Sequence, residues 1–266
     1  MDRWEGGTPK HSKLFAGWCA DDVPALAARP QPPSVTVAIH QPNYLPWLGY
    51  FDKILRADVF VLLDCVQLSV QSYTQRARIL CQGKPLWLTV PIQKSGRYGQ
   101  AIRDTECQTG SLWARKHLQT LQASYGRHPY YEAVAAGLRE TLAAPLSHLA
   151  VLNQRLIEII ATQLGARCRF VRASDLGLED LHGSELLSAI VQQVGGTTYL
   201  FGGGATNYQD EEPFERRQVA LLSQQFAPRP YPQRGIASFV AGLSIVDALF
   251  NVGYARTRAL LGGGLG

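Results

Sequence analysis

Short apolar runs alternate with segments of helical periodicity along most of this chain. Residues 35–39 form a continuous run of mostly β-branched side chains, residues 47–57 place apolar side chains at helical spacing, and residues 58–63 return to an apolar run. A strand, a helix and a second strand in such a short stretch favour a right-handed parallel β–α–β unit. The first strand is expected to be buried on both faces.

The rest of the pattern adds further strands and a block of helices. Two strands at 77–81 and 86–90 are predicted, joined by a tight turn. The other expected elements are helices at 112–124, 130–142 and 146–164, a strand at 169–171, a helix at 184–194, strands at 197–201 and 218–223, and a helix at 243–252. The predicted class is α/β, with a mostly parallel sheet, flanking helices, a Rossmann-like opening and an inserted helical segment.

Both ends of the chain lack this alternation. Residues 1–34 contain five prolines and a Gly-Gly pair, and they are predicted to form a partly ordered extension. Residues 35–258 are predicted to form one α/β domain. The glycine-rich residues 259–266 are predicted to form a flexible tail.

Composition excludes several classes of protein. With 266 residues, 46% hydrophobic and 18% charged, the chain is expected to be globular. Its net charge of +5 is spread along the chain, which disfavours a dedicated duplex nucleic-acid binder. No apolar run approaches the roughly 20 residues that span a bilayer, and the first residues lack the apolar core of a secretory signal. We therefore expect a cytoplasmic protein.

The five cysteines give no disulfide or metal pattern. They are odd in number, contain no Cys-x-x-Cys pair and do not cluster with histidines. Reduced and mostly buried thiols are expected, without a bound metal.

A polar and aromatic turn follows the first strand, beginning at His40. Ligands of parallel sheets bind outside the carboxyl ends of the strands, where this turn is expected to lie. The candidate substrate-binding residues here are Gln41, Asn43, Tyr44, Trp47, Tyr50 and Lys53. The alternative is a purely structural turn whose Trp47 and Phe51 pack into the core.

Asp64, Cys65 and Gln67 follow the second strand, and Gln67 is a further candidate substrate-binding residue. Because both parallel strands end at the same edge, Asp64 is expected beside His40. A histidine oriented by a carboxylate can act as a general base. Alternatively, Asp64 caps a turn and His40 satisfies backbone groups. Cys65 would be a nucleophile if His40 or Arg76 lowered its pKa, although strand alternation points it away from Asp64.

Two further segments could hold an anion. Arg76 and Arg78 are two residues apart, so both point to one face of a strand, where guanidinium groups suit a carboxylate or phosphate. Gly202, Gly203 and Gly204 follow another strand and would let backbone N–H groups approach an anion closely. The alternatives are a solvated edge strand and a plain flexible turn.

Five ordered motifs resemble the WbqC-like protein family. Its opening His-Gln-Pro-x-Tyr-x-Pro-Trp-x-Gly-(Tyr/Phe)-Phe is matched by residues 40–51. The other four matches are Asp64 with Gln67, Trp87 through Pro91, Tyr199 through Tyr208, and Leu243 through Gly253. Together they cover about 35–254.

The chain departs from the family pattern at three positions. Cys65 stands where the family often has a second acidic residue, Gln75 where it usually has asparagine before Arg76, and Phe201 where a small serine is expected. These departures bear on the substrate more than on the fold.

The resemblance implies a biosynthetic enzyme, because such proteins are encoded among genes for surface-sugar assembly and in specialised-metabolite clusters. It implies acyl or aminoacyl transfer to an amine of a small polar molecule. His40 would accept the amine proton, Asp64 would orient His40, and Arg76, the glycine segment and Tyr208 would bind substrate. The donor would be activated by CoA, a nucleotide or tRNA.

Two other functions also fit the sequence. A non-catalytic escort of a biosynthetic partner is one, and the mild positive charge would suit an acidic carrier protein. A Cys65-dependent hydrolase is the other. The opening also resembles that of nucleotidylyltransferases, which carry histidines at the positions of Tyr44 and Tyr50. Since those histidines are absent, adenylylation is not assigned.

Overall fold

The computed structural model of the protein describes residues 34–69, 71–108, 112–203 and 210–262. The chain divides into two units between Pro33 and Ser34. The first unit, and with it nearly all of the predicted extension 1–34, lies outside the described residues. The second unit contains the α/β fold.

All of the helices and strands predicted from the pattern are present in the second unit. Their bounds are β1 Thr36–His40, α1 Leu48–Arg56, β2 Val59–Leu62, β3 Arg76–Cys81, β4 Lys84–Thr89, α2 Leu112–Tyr125, α3 Tyr131–Ala143, α4 Leu149–Gln163, β5 Arg169–Arg172, α5 Gly183–Gln193, β6 Thr198–Phe201, α6 Glu212–Arg216, β7 Ala220–Ser223 and α7 Ile245–Leu260. The short helix α6 and a 3₁₀ turn at Ala173–Asp175 were not predicted. Within the described ranges, no helix is long and apolar enough to cross a bilayer.

Five parallel strands form the main sheet, in the order β5-β2-β1-β6-β7. The chain builds outward from β1 through β2 to β5, then returns to the other side of β1 with β6 and β7. The connections therefore reverse direction between β1 and β6. In open parallel sheets this switch point is where a crevice forms outside the carboxyl ends of the strands. The predicted mostly parallel α/β fold is confirmed.

Alternating side chains of the central strands belong to two apolar clusters, one on each face of the sheet. Ala38 and Phe60 face the larger cluster, which contains α1 and the helices α2, α3, α4 and α7. Val37 and Val61 face the smaller cluster, which contains α5 and α6. Because both faces of the sheet are covered, the sequences of β1 and β2 are continuous apolar runs.

The strands β3 and β4 form a separate antiparallel hairpin. Its two-residue turn, Gln82-Gly83, has positive φ at both positions, 49° and 75°, which suits the twist of a hairpin. Ala77 and Ile79 are buried, whereas Arg76 and Arg78 lie on the other face of β3. The two arginines thus share one face, as the spacing predicted.

The last helix is longer than predicted. The expected end at residue 252 coincides with a kink at Gly253, whose φ is 73°. A side chain there would also meet the Tyr130 ring, 2.8 Å from the Cβ position, so glycine is required. The helix then continues to Leu260, two residues into the segment predicted as a tail. Residues 263–266 lie outside the described part.

Candidate active site at the carboxyl edge of the sheet

The carboxyl ends of β1, β2 and β6 bring together residues from three of the predicted segments. His40 ends β1, Asp64 lies two residues beyond β2, and Gly202 follows β6. The β1–β6 register pairs Ala38 with Leu200, which places His40 level with Gly202 along the strands. The ammonium group of Lys53 on α1 reaches the end of β1.

His40 is a partly exposed imidazole held between aromatic rings. Its Nδ1 lies 3.1 Å from the carbonyl oxygen of Gln41, so Nδ1 is assigned the proton and Nε2 the lone pair. The ring centroids of Tyr50 and Trp47 lie 4.7 and 5.6 Å away. Burial and then the charge of Lys53 lower the pKa of His40 to about 3, against the bond to Gln41. The ring is therefore neutral at physiological pH.

Lys53 is a buried cation, with only 4% of its surface exposed. Its Nζ donates to the carbonyl oxygen of Ile39 at 3.1 Å, and burial lowers the pKa of its amine to about 8. Across the described residues it forms no ion pair with a carboxylate. Burying a charge without a counterion is costly, so an anionic ligand is the partner that this position favours.

The turn after β1 is held rigid by side chains that bond within the protein. The hydroxyl of Thr74 lies 3.2 Å from Oε1 of Gln41 and 3.2 Å from Oδ1 of Asn43. The amide of Asn153 donates to the carbonyl oxygens of Pro42 and Thr74 at 2.8 and 2.7 Å. Gln41 and Asn43, predicted to bind substrate, are therefore engaged in shaping the turn.

Tyr44 and Tyr50 are fully buried and support the site from within. The hydroxyl of Tyr44 lies 2.9 Å from Nδ1 of His117, and Tyr50 donates to the carbonyl oxygen of Gln41 at 3.0 Å. Burial raises the pKa of both phenols. Of the three aromatic residues of this turn that were predicted to bind substrate, Trp47 alone is partly exposed.

Asp64 bonds to β5 rather than to His40. Its carboxylate accepts hydrogen bonds from Nε of Arg172 and from both the backbone N–H and the hydroxyl of Ser174, each at 2.9 Å. Nη2 of Arg172 also lies 2.9 Å from Oδ2 of Asp64, as an ion pair. In the described part of the chain it makes no hydrogen bond to His40, so the expected orienting contact is not formed. A buried carboxylate is better satisfied by a guanidinium and two further donors than by a neutral imidazole. Asp64 instead locks the end of β2 to the end of β5.

Cys65 and Gln67 take different positions beyond β2. Cys65 is partly buried against the smaller apolar cluster. Burial, followed by the charge of Asp64, raises the pKa of its thiol. This is opposite to the lowered pKa of a nucleophilic cysteine. Gln67 is exposed, and its backbone pairs with Ala101.

Arg76 contributes to a surface that the sequence did not predict. Its guanidinium lies 4.3 Å from the centroid of the Trp87 ring. The Trp87 centroid is 5.5 Å from that of Tyr73, which is 5.1 Å from that of Trp47. We call Trp47, Tyr73 and Trp87, with Arg76, the aromatic track. Trp87 belongs to one of the family motifs, but no local signal marks Tyr73 as its neighbour.

Part of the glycine segment lies within the described residues. Gly202 and Gly203 follow β6 at the switch point. A Cβ on Gly202 would lie 3.6 Å from Oε1 of Gln224, an ordinary contact, so space alone does not demand glycine there. Gly204 and Tyr208 lie outside the described residues, and their predicted contacts with substrate stay predictions.

An apolar cavity of about 240 Å³ opens beside Trp47. Its opposite wall is the 226–243 segment, including Phe226 and Phe239. A larger cavity of about 590 Å³ lies at the β3–β4 turn, near Arg127 and Arg234 and away from His40. Over the described ranges, no cluster of three or more His, Cys, Asp or Glu residues could hold a metal ion.

The wall of the apolar cavity is fixed by a buried carboxylate on α7. Asp247 accepts from the hydroxyls of Tyr125 and Tyr231 at 2.8 and 2.7 Å, and from the amide of Gln233 at 3.0 Å. Burial is the main cause that raises the pKa of this carboxyl group. These bonds give Asp247 a structural role in holding the segment that faces Trp47.

Comparison with known proteins agrees with the motif pattern. The model of the WbqC-like protein family matches residues 41–259. The chain is also 35% identical over 219 residues to "Uncharacterized protein Rv1507c" of Mycobacterium tuberculosis (strain ATCC 25618 / H37Rv). This match covers 82% of the present chain and 94% of the relative.

Proposed function

The chain belongs to the WbqC-like protein family, and from its site we propose that it is a biosynthetic enzyme that transfers an acyl-type group to an amine of a small polar molecule. One observation carries this proposal. At the end of β1, a neutral His40 whose Nε2 makes no hydrogen bond to any described residue lies beside the cation of Lys53, which has no carboxylate partner among those residues. A proton acceptor and an anion-binding group thus meet at the switch point of the sheet.

The proposed reaction joins the amine nitrogen to the carbonyl carbon of an activated acyl donor. As the new C–N bond forms, a proton leaves the nitrogen for Nε2 of His40. The bond from the acyl carbon to the leaving group then breaks, and the leaving group departs with the electron pair. The His40 imidazolium returns its proton to that group, so the products are an amide and the protonated leaving group.

The low pKa of His40 is compatible with this role. The nitrogen that loses the proton carries a positive charge after attack, and such an N–H is far more acidic than that of the free amine. Moreover, an anionic part of a substrate at Lys53 would cancel the charge that helps to lower the pKa of His40. Substrate binding would therefore make His40 more basic when a base is needed.

A two-component screen tests the proposal. Acyl thioesters of different chain length are combined with amino sugars and other small amines, and both amide mass and free thiol are measured. We expect one donor–acceptor class to give equal amounts of amide and thiol, with Lys53→Met strongly impaired. Lys116→Met, which removes an exposed lysine on α2, should retain the activity.

Two results of this screen would contradict the proposal. One is amide formation that is undiminished in Lys53→Met. The other is the absence of product from every pair while the protein co-purifies in a fixed ratio with an acidic carrier protein or a biosynthetic enzyme. The latter result would favour the escort function.

A further inference from the structure

We propose that the aromatic track binds the nucleotide part of one substrate, with the base stacked on Tyr73 and Trp87 and a phosphate held by Arg76. The role of that substrate rests on the proposed function, whereas its binding can be measured without turnover. Neither Tyr73 nor Trp87 was predicted as a site residue from the sequence.

The two outer rings of the track are unusually open to solvent. Tyr73 is 42% exposed and Trp87 is 38% exposed, whereas the other aromatic residues around His40 are buried or only partly exposed. The two rings are 5.5 Å apart, and their planes meet at 59°. Every nucleobase has a flat π face, so adjacent exposed rings of this kind can stack a base whichever of the nucleobases it is.

Arg76 gives this surface a charge. Its guanidinium stacks on the ring of Trp87 at 4.3 Å, and its Nε, like that of Arg78, is buried without a hydrogen-bond partner in the part of the chain that the structure describes. Arg78, on the same face of β3, already donates to the carbonyl oxygen of Ala241 at 2.5 Å. Arg76 is therefore the guanidinium available to a ligand, and its planar donor edge suits a phosphate.

The track is continuous with the catalytic groups. The Trp47 ring contacts both the His40 ring, at 5.6 Å, and the Tyr73 ring, at 5.1 Å. The backbone of Tyr73 is also bonded to the turn after β1, since its carbonyl oxygen accepts from the Tyr44 N–H at 3.0 Å. A ligand with its base on the hairpin could thus extend its reactive group along Trp47 to His40.

The chemistry favours a nucleotide over an uncharged sugar. A sugar could pack on the rings, but it would leave both Arg76 and the buried Lys53 without an anionic partner. A nucleoside diphosphate offers a flat base and negative charge in one molecule. Two sources share this chemistry: a CoA-type acyl donor and a nucleotide-linked amino sugar that accepts the acyl group.

Calorimetric titration with ADP, UDP, adenosine, CoA and pantetheine tests the inference. We expect CoA to bind more tightly than pantetheine, or UDP more tightly than adenosine, and either result supports the nucleotide site. The first places the nucleotide on the donor and the second on the acceptor. Tyr73→Ala and Trp87→Ala should each weaken the preferred nucleotide by about fivefold to a hundredfold, the range for loss of one stacked ring.

Controls separate this inference from the catalytic proposal. Arg76→Gln should weaken ADP or UDP and leave adenosine unchanged, whereas Tyr98→Ala, at a tyrosine that is 97% exposed, should bind as the wild type. His40→Asn should bind nucleotide normally even if it abolishes transfer. Absence of nucleotide binding to the wild type would overturn the inference, as would unchanged affinity in folded Tyr73→Ala and Arg76→Gln.

Discussion

The ammonium group of Lys53 lies 3.1 Å from the carbonyl oxygen of Ile39, the residue that precedes His40. A buried cation and a neutral imidazole therefore share the end of β1. The charge of Lys53 is the second cause, after burial, of the low pKa of His40. As a consequence, any change that neutralises Lys53 should raise the pKa of His40.

Replacing Lys53 should stabilise the fold. Lys53→Met removes the cost of burying an amine whose pKa burial has lowered from 10.5 to about 8, and the thioether fits an apolar environment. We expect a gain in unfolding free energy on the order of 2 kcal/mol, measured by urea denaturation at neutral pH. Lys116→Met at an exposed position should change stability little. A destabilised Lys53→Met would mean that the amine already has a favourable partner.

His40 should make the fold less stable in acid. Its folded pKa of about 3 is below the ordinary value of 6.5, so on acidification the unfolded chain takes up a proton before the folded chain does. Stability is lost as the pH falls below 6.5. Between pH ~7.5 and ~5, wild type should lose about 1–2 kcal/mol more than His40→Asn. Parallel urea titrations measure the difference, and equal losses would show that His40 titrates normally in the fold.

Replacing Asp64 should lower the unfolding free energy and leave the protonation of His40 unchanged. Asp64→Asn leaves Arg172 without its carboxylate, and we expect a loss of about 2–4 kcal/mol in unfolding free energy. Adding Arg172→Met should recover part of this loss, because it removes the unpaired charge. The NMR titration of the His40 ring should be unchanged in Asp64→Asn. A shifted titration would restore the orienting role expected from the sequence.

The strands and helices could be predicted because their patterns are local. The β-branched run before His40 reflects a strand that is covered on both faces. The apolar spacing after it reflects the helix α1, which is buried from Leu48 to Ile54. The carboxyl-edge position of Asp64 also follows, since parallel strands end on one side. The end of α7 was missed because the predicted helix ended at residue 252, whereas the helix resumes after the kink at Gly253.

The partners of the site residues depended on contacts between distant parts of the chain. Asp64 meets Arg172, 108 residues away, and Tyr44 meets His117, 73 residues away. No periodicity encodes such pairs, so the sequence could place Asp64 at the correct edge and still assign it the wrong neighbour. Tyr73 was overlooked for the same reason, because its neighbour Trp87 is brought to it by the β3–β4 hairpin.

Cys65 should be dispensable for activity. Burial and the charge of Asp64 raise the pKa of its thiol, which leaves little thiolate at neutral pH. Cys65→Ser should retain transfer within about twofold of wild type, and iodoacetamide should modify the thiol more slowly than it modifies free cysteine. A loss of activity of two orders of magnitude in a well-folded Cys65→Ser would instead support the hydrolase alternative.

The rate of amide formation in a single turnover tests the central claim most directly. It is measured with excess enzyme and the donor–acceptor pair found by the screen, for wild type, His40→Asn and the control His148→Asn, whose imidazole bonds to Ser147. Loss of a general base predicts a rate about a hundredfold to ten-thousandfold lower in His40→Asn, with His148→Asn unchanged. A His40→Asn rate equal to that of wild type would contradict the assignment of His40 as the proton acceptor.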